Sequence, residues 1–135
     1  MDFARTWSLT LTKYEIFRMT NFDKIIFIDA DMYVLKNLDH LFDLPHKTAA
    51  IDGEYFNLWP DKPFFNAGLI VIEPNVDEYN QLIDYTNNYA VNTFDSKKAL
   101  ADQELLNEFW SDWAEKEDLH LSKYYNIFAP YTQEE

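Results

Sequence analysis

The chain has 135 residues, 47% apolar and 18% aromatic, with a formal net charge of −13, no cysteine, 2 glycines and 5 prolines. These figures suit one globular domain over 1–135, burying roughly two-thirds of its unfolded surface, and exclude a disulfide framework, thiolate metal sites and a disordered chain. The acidic field repels nucleic-acid backbones and anionic membranes; with no run near the ~18 apolar residues of a membrane span and no signal-like start, the expected location is cytoplasmic.

In chain order, residues 7–19 predict a helix with Leu11, Tyr14, Ile16 and Phe17 on one face. Asn21-Phe22-Asp23 breaks it before an apolar strand, Lys24 to Ile28, of the kind a parallel sheet buries on both faces. That strand runs into Asp29-Ala30-Asp31. Ligands of open α/β sheets gather at the carboxyl ends of strands, and acids at i and i+2 of an extended backbone share one side. Such oxygens suit a hard cation such as Mn²⁺ or Mg²⁺; taken alone, two solvated carboxylates are the plainer reading. A diphosphate ligand in so acidic a chain needs positive charge nearby. A metal would supply it, or Lys13, which by itself reads as a surface lysine.

Val34-Leu35 is read as a short strand extension, and Asp39 to Leu44 as one helical turn closed by Pro45. Thr48 to Ile51 is a short strand ending at Asp52, and 53–64 is loop. Phe65-Asn66-Ala67-Gly68 leads into a second apolar strand, Leu69 to Ile72. There Gly68 either permits a tight backbone or lets a sugar approach the main chain while Asn66 offers its amide. Asn75 to Asp77 cap a helix running to about Ala90, with Tyr79, Leu82, Ile83 and Tyr89 facing inward, and 92–98 is polar loop. Residues 99–116 form the clearest helix, whose stripe of Leu105, Leu106, Phe109, Trp110 and Trp113 reads as core. At its start, Asp102-Gln103 is either a first-turn acid favouring the helix dipole or a carboxylate reaching toward oxocarbenium charge. His40, His46 and His120 lack ligand spacing and are expected on the surface. Strands alternating with helices make the chain α/β.

Several separated motifs in order carry a more specific signal. Leu11-Thr12-Lys13, Ile28-Asp29-Ala30-Asp31, Asn37-Leu38-Asp39-His40-Leu41-Phe42, Ala49-Ala50-Ile51-Asp52, Phe65-Asn66-Ala67-Gly68, Glu73-Pro74, Asp102-Gln103-Glu104-Leu105-Leu106-Asn107 and Tyr125-Asn126 together resemble glycosyltransferase family 8. The likeness is to its glycogenin-like and plant glucuronosyltransferase-like members, over roughly residues 7–127. It implies a Rossmann-like nucleotide-sugar transferase fold of the A type with a mostly parallel sheet. It also implies retaining transfer of a hexose, glucose first, from a UDP-sugar to a carbohydrate or protein hydroxyl, with Mn²⁺ (or Mg²⁺). At matching positions, Asp29 and Asp31 would hold metal and diphosphate. Lys13 would lie by the donor, Asp52, Asn66, Ala67 and Gly68 would line the sugar pocket, and Asp102 and Gln103 would face the reacting sugar.

The departures are equally specific. The chain begins after the family's uridine-binding β-α units and lacks the His-Phe-x-Gly-x-x-Lys-Pro-like segment that completes the metal site. Ala67 replaces a more usual serine, and Leu100-Ala101 stands where a Gly-Gly pair is common. The expectation is a central catalytic portion, truncated at both ends. The alternative is a non-catalytic binding or regulatory module, or half of a split transferase, its exposed sheet covered by a partner or second copy.

Overall fold

A computed structural model describes residues 12–52, 63–93 and 101–127. Strands β1 (Ile25–Ile28), β2 (Ala49–Ile51), β3 (Phe65–Ile72) and β4 (His120–Leu121) form one sheet in the order β1-β3-β2-β4. Helices α1 (Val76–Thr93) and α2 (Asp102–Phe109) and several short 3₁₀ segments pack around it. The fold is α/β, consistent with part of an A-type transferase. The expected predominance of parallel pairing gives way to a mixed sheet: β3 is antiparallel to β1 and β2, and β2–β4 is parallel. Apolar runs such as β1 and β3 report how a strand is covered; they do not report its neighbour's direction.

β3 is the axis of the molecule. Its Ile70 and Ile72 join a core with Tyr14, Phe17, Leu82, Leu106, Trp110 and Trp113, while Leu69 and Val71 join another with Leu41, Ala50 and Leu121. Phe65 and Ala67 belong to the first core, so the two-residue alternation slips between Ala67 and Leu69. The pairing shows the same slip, because Ala49 to Ile51 of β2 spans Ile70 to Phe65 of β3. Phe65 to Gly68 is therefore strand rather than a lead-in loop, and Gly68 sits at its irregularity.

Other boundaries differ for local reasons. The first helix is a 3₁₀ segment, Thr12–Arg18, whose spacing puts Tyr14 and Phe17 in the core; Leu11 lies outside the described residues. Val34 and Leu35 are exposed and extend no strand. α1 starts as expected, with Asn75 Oδ1 accepting the Glu78 N–H (3.0 Å), and continues through Thr93. The helix expected over 99–116 stops at Phe109. The chain then tightens, Trp113 N–H donating to Trp110 O (2.8 Å), and the Trp113 indole donates to Lys47 O (2.9 Å).

Two of the three histidines are not surface residues. His120 lies on the Trp113 ring (centroids 4.1 Å apart), and His46 accepts the Glu73 N–H on Nδ1 and hydrogen-bonds the Glu78 carboxylate through Nε2 (2.7 Å). Glu78 also accepts from Trp110 Nε1 (2.9 Å) and pairs with Lys47 (3.0 Å). Burial pushes the Glu78 carboxyl up, but His46 and Lys47 outweigh it and hold it at about 2. A lowered folded pKa stabilises above the ordinary value of 4.5, and that stability is lost as pH falls through about 2. Urea unfolding should therefore show Glu78→Gln weaker than the parent by about 3 kcal/mol at pH 6, the gap closing as pH falls from 4.5 toward 2. A gap that ignores pH would show that the Glu78 charge contributes nothing.

Candidate active site

The β1–β3 pairing extends one residue past β1, where Asp29 N–H donates to Gly68 O (2.8 Å). This sets Asp29 against the irregular part of β3. The chain then turns, Met32 N–H reaching Asp29 O (3.2 Å), so Ala30 and Asp31 occupy a turn rather than an extended strand end. The shared side that strand alternation predicts for the two acids is not carried past Asp29. Asp29 is part-buried among other groups, and Asp31 is exposed, with no ion pair or hydrogen bond to another described residue.

Lys13 crosses from its 3₁₀ turn to the same place. Its Nζ is 3.1 Å from Asp29 Oδ1 and 2.5 Å from Asp102 Oδ2, and donates to Ala67 O at 3.1 Å. All three ammonium protons thus have acceptors. The Phe27 ring lies 4.7 Å below, and only 13% of the side chain is exposed. This is no surface lysine.

α2 docks on β3 through side chains one turn apart. Gln103 Oε1 accepts the Ala67 N–H (3.0 Å), and Asn107 Oδ1 accepts the Phe65 N–H (3.0 Å) while its Nδ2 donates to Phe65 O (2.9 Å). Two amides in i, i+4 register therefore satisfy backbone groups of β3 as a neighbouring strand would. Gln103 Nε2 then donates to Asp52 Oδ2 (2.8 Å), tying the end of β2 to the helix. Burial raises the Asp52 carboxyl above its ordinary range; the Gln103 bond opposes the rise and Glu104 adds to it. Ala101 N–H is capped by Glu104 Oε2 (2.9 Å), leaving Asp102, on the first turn of α2, to face Lys13.

Asn66 completes the floor, its Oδ1 accepting from Gly68 N–H (2.8 Å) and from Asn126 Nδ2. A side chain on Gly68 would meet Asn126 Nδ2 and Asn66 Oδ1 at 2.9 Å and Asp29 Oδ2 at 3.2 Å, so the two amides would have to shift to admit it. Lys13, Asp29, Asp52, Asn66, Ala67, Gly68, Asp102 and Gln103 thus form one connected cluster, with Asp31 on the exposed turn beside it. Asn107 and Asn126 belong to the same network. Both fall within the family-like motifs, but spacing gives neither a role, since one acts through helix register and the other across 60 residues.

Among the described residues, no group of three or more His, Asp or Glu side chains could hold a metal ion. By donor type alone, two carboxylates, one of them shared with Lys13, suit a hard cation that keeps waters and takes phosphate oxygens. No helix among the described residues is long and apolar enough to cross a membrane.

Comparison with known proteins gives a consistent family. The family model described as Glycosyl transferase family 8 matches residues 3–135. Glycogenin-1 of Homo sapiens is 39% identical over 120 residues, covering 88% of this chain and 31% of that protein. Glycogenin-1 of Caenorhabditis elegans is 38% identical over 122 residues, covering 90% and 26%. An Arabidopsis thaliana protein named as a UDP-glucuronate:xylan alpha-glucuronosyltransferase is 31% identical over 112 residues, covering 83% and 17%. The chain spans about a third or less of the length of each of these relatives.

Proposed function

The chain belongs to glycosyltransferase family 8, and from that membership we propose that the Lys13 cluster is the donor site of a retaining transferase. It would take a hexose, glucose first, from a UDP-sugar and pass it to a hydroxyl of a carbohydrate or protein acceptor. The observation that carries this reading is the convergence of Asp29, Asp102 and the Ala67 carbonyl on the Lys13 ammonium. One cation there joins the diphosphate end of the site to its sugar end.

Asp29 and Asp31 would hold a divalent cation, Mn²⁺ or Mg²⁺, which when bound neutralises charge on the departing UDP. The remaining work belongs to side chains. Lys13 holds Asp102 in place and keeps Asp29 and Asp102 from repelling each other. Asp102 directs a carboxylate at the sugar face where positive charge develops. Gln103 fixes β3 and Asp52 against α2, so that the pocket wall does not shift as the sugar binds. Asn66, Ala67 and Gly68 bring polar groups and bare backbone to the sugar.

Calorimetry with UDP and Mn²⁺ tests the reading. Metal-dependent binding should be lost in Asp29→Asn and Asp31→Asn, and Asp31→Asn, exposed and with no partner among the described residues, should alter folding stability by no more than about 0.5 kcal/mol. Binding at millimolar affinity or weaker that ignores both substitutions would make the chain a non-catalytic module. A collapse in the stability of Asp31→Asn would make that acid structural.

A further inference from the structure

Building on the reading of this cluster as a donor-sugar pocket, we infer that Asn126 is a positioning residue that, together with the Gly68 N–H, sets which end of the Asn66 carboxamide faces the sugar. A carboxamide offers an oxygen with two lone pairs and a nitrogen with two protons. Both lone pairs of Asn66 Oδ1 are used, by the Gly68 N–H and by Asn126 Nδ2, whereas no described residue accepts from Asn66 Nδ2. The acceptor end is thus directed inward and the donor end is left for a ligand. The pocket at this point recognises a lone pair, and we assign it to a hydroxyl oxygen of the transferred sugar.

Asn126 is built into this role from a distance. It follows the 3₁₀ turn Lys123–Tyr125, its N–H bonding back to Lys123 O (3.0 Å), and Tyr125 is anchored by His40 Nε2 (2.9 Å). Its amide reaches Asn66 only across the bare α-carbon of Gly68. A side chain there would displace it.

Two variants separate orientation from packing. Asn126→Asp keeps the shape but cannot donate, so Asn66 must turn its NH₂ toward the new carboxylate and Gly68 N–H loses its acceptor. Asn126→Ala removes one hydrogen bond, yet Gly68 N–H still holds the Asn66 oxygen inward. NMR of the ligand-free chain, with the Asn66 side-chain amide identified by its loss in Asn66→Ser, should show that amide shifted and slowed in exchange in Asn126→Asp. In Asn126→Ala it should stay near its original position.

Calorimetry with UDP and with UDP-glucose supplies the second arm. The added carboxylate weakens both ligands, but a turned amide penalises the sugar alone. The affinity ratio of UDP-glucose to UDP should fall about tenfold in Asn126→Asp and less than about threefold in Asn126→Ala. A packing role gives the opposite order, because aspartate fills the same space. Unmoved Asn66 signals in Asn126→Asp, an unchanged ratio, or alanine as harmful as aspartate would each overturn the assignment. Failure of the parent chain to bind either nucleotide would instead remove the donor-site reading, and the amide spectra alone would then decide the orientation.

Discussion

Lys13→Met should lower transfer from a UDP-sugar by about 10²–10³-fold, the usual loss when a charge aimed at the reacting centre is removed. The ammonium has three acceptors, Asp29, Asp102 and the Ala67 carbonyl, supplied by three different elements. Methionine keeps the length of the stem and its place over Phe27, but leaves two carboxylates facing each other with nothing between them. Asp102 then leaves the position from which it would meet a cationic sugar. Cation binding should respond differently: the Asp29 oxygen that Lys13 occupies is released, so Mn²⁺ affinity measured without nucleotide should hold or rise. Lys13→Arg keeps the charge but spreads it over a planar fork that cannot point three donors at these three oxygens, and should restore only part of the rate. Steady-state transfer assays and Mn²⁺ titrations of the three proteins decide the matter. Turnover of Lys13→Met within threefold of the parent would reduce Lys13 to a structural clamp.

The legible parts of this molecule were those set by short-range pattern. The Asn75 cap, the burial of Leu105, Leu106, Trp110 and Trp113 and the apolar strands follow from spacing and side-chain type. Strand direction does not, because an isoleucine run is as content in antiparallel as in parallel company, and the tightening after Phe109 depends on where the Trp113 indole finds the Lys47 carbonyl. The same division runs through the site. Asp29, Asp52 and Gln103 sit at element ends and Gly68 at the irregularity of β3; Asn107 and Asn126 fall in the family-like motifs too, but they act by completing hydrogen bonds of groups distant in sequence, which no local pattern conveys. His46 has no neighbouring ligand type to mark it, yet it ties β3's far end to α1. Lys47 adopts φ 73° there, a left-handed turn that glycine usually takes and that no local residue signals.

Trp110→Ala should cost about 3–5 kcal/mol of folding stability, the range for emptying a core indole site. Trp110 is 2% exposed, and its ring meets Phe65 (5.5 Å between centroids), Phe17 (6.1 Å) and His46 (5.9 Å). These neighbours come from β3, the first 3₁₀ segment and the turn before β2, so the cavity would have no single element free to collapse into it. Its indole N–H also serves the part-buried Glu78 carboxylate. Trp110→Phe separates the two contributions: it keeps most of the ring contact and removes only the donor. Glu78 retains Lys47 and His46, so that variant should lose about 1–1.5 kcal/mol and keep the acid-dependent loss of stability between pH 4.5 and 2. Urea denaturation near neutral pH and at pH 3 measures both quantities. Since the Trp110 ring packs on Phe65, Phe17 and His46 and not on the charged groups around Lys13, Trp110→Phe should bind nucleotide like the parent wherever it is folded. A near-neutral Trp110→Ala would mean that the indole is not the keystone between sheet and helices, and the packing that aligns α2, and with it Asp102 and Gln103, would have to be sought elsewhere.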